Sequence, residues 1–354
     1  MKRRMNELRK RINENRAQGF LIFSLPNIRY LIGYTGSNGL LFVGERAVFV
    51  TDFRYEEQAK KEVESAMVLI TKSPLFERLT KSTGFKKVKN ILFEAKHISY
   101  EDFMDIRKKT RDKKWKASKG IVEGMREVKE EEEIKKIKKA CEITISVFEE
   151  VLKLLRPGIK ENDIAAEIDY QMKKKGADKP SFDTIVVSGE KSAMPHGKPG
   201  ERRLKKGDFV TLDFGAVYKG YHADFTRTVV IGKASKKQKK IYEIVKKAQE
   251  EAINRIKPGM LCKEADSIAR EVIKKEGYGK YFGHSLGHGV GLEIHELPRL
   301  SFLSNSKIRE NSVVTIEPGV YLPDFGGVRI EDTVVVRKNG IEVLTKFTKE
   351  LIEI

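Results

Sequence analysis

The C-terminal two thirds of this chain repeats itself, and that repeat limits its architecture more than any other feature. LLRPGIKENDIAAEI at 154–168 resembles RIKPGMLCKEADSIAREV at 255–272. Further on, GDFVTLDFGAVY resembles NSVVTIEPGVYL, and ADFTRTVVI resembles RIEDTVVV. Superposing the halves sets Asp213 against Glu317, and Asp224 roughly against Glu331. A pseudo-twofold would bring carboxylates from both halves to one axis. The segment from Asp213 to Asp224 suits adjacent strands joined by a tight turn at YKGY.

Five residues stand out in this frame: Asp213 (VTLDFG), Asp224 (HADFTRT), His288 (GHGVGLEIHE), Glu317 (TIEPGVY) and Glu331 (VRIED). Each has a plainer reading alone. Asp213 could accept hydrogen bonds within a strand. Asp224 could pair with Arg227, and Glu331 with Arg329. Glu317 precedes Pro318-Gly319 and could be a surface turn residue, although the apolar run before it argues for burial. Together they form four carboxylates and an imidazole. Carboxylates held close either take up a proton or bind a cation. Two divalent cations would balance four carboxylates, so a two-metal hydrolase is the leading reading. GHGVG lacks the GxGxxG spacing of a phosphate loop. His295-Glu296 has no second histidine four residues after His295, so it is not a zincin helix.

Histidines gather around the same segment. His196 lies in MPHGKPG, His284 precedes His288 by four residues, and His295 follows it by seven. Histidine is the side chain best suited to exchange protons near neutral pH. His222, beside the expected hairpin, and His97, in the N-terminal region, are assigned no catalytic role.

The first 120 residues alternate helical stretches with short apolar strands, which predicts an α/β layer domain. RKKTRDKKWKASKG has few apolar residues and reads as the domain edge. The expected division is 1–122 and 123–354, within the length that supports two cores. Ile134, Ile137, Cys141, Ile145, Phe148 and Leu152 recur every three or four residues, which predicts a helix from about 130 to 155. Arg156-Pro157-Gly158 would then stop it.

The net charge is +19, mostly from the first 120 residues. Lysines are interleaved with glutamates, as in EVKEEEEIKKIKK, so solvated helix faces explain the charge better than a nucleic-acid partner does. A Lys/Glu-rich, cysteine-poor composition is common in hyperthermophile proteins. Cys141 and Cys262 lie in helical patterns outside any CxxC pair and read as reduced thiols. No apolar run approaches the ~18 residues of a membrane span. The basic N-terminus reads as an amphipathic helix rather than a signal peptide, so the expected location is the cytoplasm.

In order and spacing, these residues resemble the pita-bread metallopeptidases: aminopeptidase P, prolidase and methionine aminopeptidase. NIRYLIGYTGSNGLLFV and AVFVTDFRYEEQA are similar to the creatinase/prolidase-type N-terminal domain, which methionine aminopeptidases usually lack. The resemblance implies an α/β creatinase-like N-terminal domain and an α+β pita-bread C-terminal domain with a pseudo-twofold repeat. All five ligand positions are present, which argues against creatinase and non-catalytic relatives. It implies a metal-dependent Xaa-Pro peptidase acting on small peptides with proline in second position. TGSNG and TDFRY lean towards aminopeptidase P, the first reading. HELPRLS, with Arg299 available to a free carboxylate, leans towards prolidase, the alternative. A peptide- or polyanion-binding protein on the same fold and a two-metal phosphoesterase are competing classes.

The resemblance also implies roles. Asp224, His288 and Glu317 would hold one metal with a share of Glu331. Asp213 and the other share of Glu331 would hold the second. Oxygen-rich ligands favour Mn2+, with Co2+, Zn2+ or Fe2+ as alternatives. Glu317 would shuttle a proton. His196 and His295 would stabilise the oxyanion or the proline side, His284 would shape the proline pocket, and Arg329 would orient the carboxylates. A homodimer is implied.

Overall fold

A computed structural model describes all residues, Met1–Ile354, which divide into two units, Met1–Met125 and Arg126–Ile354. The N-terminal unit holds a six-stranded mixed sheet. Its order is Met67–Thr71, Ala47–Asp52, Leu40–Val43, Gly19–Ile22, Asn90–Glu94, Lys114–Ser118. Along that order the first pair is parallel, the next two are antiparallel and the last two are parallel. The strands are short apolar runs separated by helices, as the alternation in the sequence predicts. The opening helix, Lys2–Glu14, buries Met5, Leu8 and Ile12 at helical spacing.

The lysine-rich stretch read as a domain edge ends just before the division at Met125 and Arg126, and it is structured. Within it lies the sixth strand, Lys114–Ser118. It pairs with Asn90–Glu94 along its full length. As an edge strand it tolerates exposed lysines. Its contribution to the core is Trp115, packed beside Phe85, Phe93 and Phe103.

The C-terminal unit carries the repeat into three dimensions. Its first half is a helix pair, Glu131–Leu152 and Glu161–Lys174, over the antiparallel strands Ile185–Ser188, Phe209–Phe214 and Phe225–Val230. Its second half is a helix pair, Lys236–Arg255 and Cys262–Lys275, over Gly287–Gly289, Val313–Ile316 and Asp332–Arg337. Strands Glu296–Leu300 and Gly340–Val343 extend the second sheet at its two edges. The sheets meet where Thr226 bridges Glu331, whose backbone N–H donates to the Thr226 carbonyl at 3.1 Å.

Strand alternation decides which way the polar residues point. Val210, Leu212 and Phe214 pack under the first helix pair, and Val314 and Ile316 under the second. The opposite parity places Thr211 and Asp213, then Thr315 and Glu317, on the face away from the helices. Phe225 and Val229, then Val334 and Val336, do the same for Asp224, Thr226, Glu331 and Thr333.

The turn expected at YKGY is present. Tyr218 pairs with Tyr221, and Lys219 and Gly220 turn the chain at φ of 46° and 76°. Positive φ at both central residues marks the hairpin turn that matches strand twist. Cys141 and Cys262 are buried and unpaired. No helix is long and apolar enough to cross a membrane.

Candidate metal centre and active site

A cavity of about 820 Å³ opens on the inner face of the C-terminal unit. Asp213, Asp224, His288, Glu317 and Glu331 all line it, with His196, His284, His295, Arg299 and Arg329. His222 and His97 do not. His222 is buried and supports the Gly291 carbonyl, while His97 lies 3.3 Å from Glu123 in the N-terminal unit.

Asp224, His288 and Glu331 each offer a ligand atom within 4.8 Å of the others. His288 Nδ1 faces its neighbour's carbonyl, Gly289 O, at 3.1 Å. A carbonyl only accepts, so Nδ1 carries the proton and Nε2 keeps its lone pair in the neutral ring. That Nε2 points at Asp224 Oδ2 (3.5 Å) and Glu317 Oε1 (3.4 Å). A lone pair aimed at two carboxylates calls for a cation between them.

The carboxylates show the same strain. Burial, then the charges of Asp213 and Glu317, pushes Asp224 well above the usual range. Burial, then Asp224 and Glu317, does so to Glu331. Asp213 is raised by burial, against the pull of Arg329. Arg329 donates to Asp213 Oδ2, leaving Oδ1 buried with no hydrogen-bond partner. An orphaned carboxylate oxygen, an aimed imidazole and four crowded acids fit divalent cations.

The remaining groups are held in place around them. Thr315 Oγ1 donates to Glu317 at 3.1 Å and accepts from the His288 backbone N–H at 3.0 Å. Thr226 donates to Glu331 at 2.5 Å. Arg329 Nη1 donates to the Tyr321 hydroxyl at 2.9 Å. Burial pushes that phenol up to about 12, so it stays protonated. It donates to His284 Nε2 at 2.9 Å, and His284 Nδ1 donates to Ser285 O at 2.8 Å. With both nitrogens occupied, His284 offers the cavity a ring wall. The rings of His288 and His295 lie 4.4 Å apart. Burial, then His288, lowers the pKa of His295, and burial also lowers that of His284.

Residues 135–338 match metallopeptidase family M24, and residues 4–128 match the Creatinase/Prolidase N-terminal domain. The chain belongs to metallopeptidase family M24. An Xaa-Pro dipeptidase of Pyrococcus horikoshii is 43% identical over 98% of this chain and 99% of its own. The structure of an Xaa-Pro dipeptidase from Bacillus anthracis matches with a TM-score of 0.97 at 41% identity, covering 99% of both chains. That of an X-Pro aminopeptidase from Thermotoga maritima matches with a TM-score of 0.91 at 40% identity, covering 99% of this chain and 100% of the other. As an M24 member the chain is a metallopeptidase, with the creatinase-type N-terminal and pita-bread C-terminal architecture of its relatives. The family implies divalent metal ions, and the acid–histidine cluster is where this chain could hold them.

Several supporting residues of this M24 site escaped the reading of the sequence. Thr226 sits opposite Asp213 in the strand register, and Tyr321 stands four residues after Glu317. Phe182, Ile185 and Ile294 supply apolar wall. Only the register of Thr226 could have been anticipated, from the hairpin through YKGY.

Proposed function

We propose that this metallopeptidase is an Xaa-Pro dipeptidase whose bound divalent ions are held by Asp213, Asp224, His288, Glu317 and Glu331. The observation that carries this reading is Arg299. It lines the cavity and is exposed, and its guanidinium has neither an ion-pair nor a hydrogen-bond partner in the chain. Its strand pairs with the one carrying His288, and His288 and Arg299 are direct neighbours in register. An unpaired guanidinium there suits the carboxylate that follows proline in a dipeptide. A longer peptide has an amide at that point. The dipeptidase names of relatives from Pyrococcus horikoshii and Bacillus anthracis support the same choice. This reverses the order drawn from TGSNG and TDFRY, which put aminopeptidase P first.

When bound, the metals supply polarisation of the scissile carbonyl and a more acidic water. Mn2+ is the favoured ion for so oxygen-rich a set. Glu317, steadied by Thr315, takes the proton of the attacking water and passes it to the departing proline nitrogen. His196 and His295 stabilise the negative charge that develops on the carbonyl oxygen. His284 walls the proline ring, and Arg329 holds Asp213 in place. Proline has no N–H and a fixed φ, so a rigid ring pocket selects it where strand-binding peptidases fail.

The test compares an Xaa-Pro dipeptide with its C-terminal amide. Losing one charge-assisted contact of ~1.5–3 kcal/mol should raise KM about tenfold to a hundredfold for the amide. Equal KM values would remove Arg299 from the account and return aminopeptidase activity to the front.

A further inference from the structure

Residues 290–295 form an irregular loop between two strands, with His288 just before it and His295 at its end. Its interior is a carboxylate. The Glu296 side chain is 4% exposed and receives Arg126 and, at 3.1 Å, Lys129 Nζ, whose side chains are 2% and 1% exposed. The backbone N–H of Glu293 donates to it at 3.0 Å. A Cβ on Gly291 would lie 2.6 Å from Glu296 Oε2, so the loop backbone rests directly on the carboxylate. On the other side, the Gly291 carbonyl accepts from the His222 backbone N–H at 2.8 Å and from its Nδ1 at 3.1 Å.

Glu296 also opens the strand Glu296–Leu300, which lies at the edge of its sheet with one neighbour, Gly287–Gly289. An edge strand with a single partner has its backbone held on one side only. The register shifts between His288 and Gly289, so backbone pairing alone does not hold it evenly. Glu296 is pinned where loop and strand meet. His295 precedes it and Arg299 follows by three residues, and both line the cavity, while Glu296 does not.

We propose that Glu296, gripped by Arg126 and Lys129, is a positioning residue that sets His295 and Arg299 against the metal cluster. This rests on the substrate roles proposed above for those two residues. The grip joins the start of the C-terminal unit to the substrate side of the site through side chains about 170 residues apart.

The test is Glu296→Gln in the metal-loaded full chain, with Lys129→Gln as a milder second variant. Amide hydrogen exchange over 289–297 should quicken locally. Loosened geometry should lower kcat/KM for an Xaa-Pro dipeptide about tenfold to a hundredfold, chiefly through KM, with metal content unchanged. Unchanged exchange and unchanged KM would overturn the proposal. Faster exchange with unchanged KM would also overturn it, leaving Glu296 a structural group only. Should Glu296→Gln fail to fold, Lys129→Gln is read by the same two criteria. A wild type that cleaves no Xaa-Pro peptide would sink the functional reading instead. The exchange data would still decide whether Glu296 holds the loop.

Discussion

Asp213 has one partner in the chain besides the metal-ligand role proposed above, and its substitutions should separate the two. One oxygen is held by Arg329 and the other has no partner. Asp213→Ala would leave a buried guanidinium unpaired, which costs about 3–5 kcal/mol. Asp213→Asn keeps an acceptor for Arg329 while removing the charge a metal needs. We expect Asp213→Asn to lose metal-dependent hydrolysis while melting close to wild type, and Asp213→Ala to lose both activity and stability. Metal analysis with thermal melts distinguishes them. Retained turnover in Asp213→Asn would refute the ligand assignment. Arg299→Ala should raise KM for an Xaa-Pro dipeptide about tenfold to a hundredfold, as loss of a charge-assisted contact of ~1.5–3 kcal/mol implies, with kcat little changed. A larger effect on kcat than on KM would place Arg299 in the chemistry rather than in binding. The four acidic positions were legible because the repeat aligned them in pairs, and His288 from its glycine-flanked context. Thr226, Tyr321 and Glu296 were not. Their importance lies in hydrogen bonds to residues distant in sequence, such as Thr226 to Glu331 and Arg126 to Glu296.

At the scale of elements, two backbones approach closely at Gly287, next to His288. A Cβ there would meet the Thr315 carbonyl oxygen at 2.0 Å, with no flexible side chain to give way. Gly287→Ala should therefore destabilise by about 1–3 kcal/mol and shift His288, costing activity as well. Wild-type melting and turnover would show that the two strands separate more easily than this contact implies. The glycines flanking His288 are visible in the sequence, but what they approach is not. The helix Glu131–Leu152 and the Lys219-Gly220 turn followed from spacing and turn chemistry. The strand Lys114–Ser118 did not, because an edge strand with three outward residues has no clean apolar alternation to read.

For the whole molecule, charge balance at the site makes folding and metal loading interdependent. In the metal-free protein Asp213, Asp224 and Glu331 have raised pKa values. Groups raised in the folded state stabilise it fully below their unfolded values, near 3.8 for Asp and 4.5 for Glu. That contribution is lost as pH rises through the folded values. His222 runs the other way. Burial lowers it from 6.5 to about 4, so its contribution is complete above 6.5 and is lost as pH falls towards 4. His222 is outside the cluster and largely cancels between metal-free and metal-loaded protein. The difference in Tm between the two should therefore widen as pH rises from 4 towards neutrality, with protons released on metal uptake. A constant difference across that range would mean the cluster does not exchange protons for metal.

The most direct test strips the enzyme with a chelator, reloads it with Mn2+ or Co2+, and measures hydrolysis of an Xaa-Pro dipeptide beside an Xaa-Pro-Xaa tripeptide. We expect no turnover without metal, restored cleavage of the dipeptide on reloading, and little or none of the tripeptide. Efficient release of the first residue from the tripeptide would make the enzyme an aminopeptidase. Full dipeptide cleavage in the stripped enzyme would contradict the metal site itself.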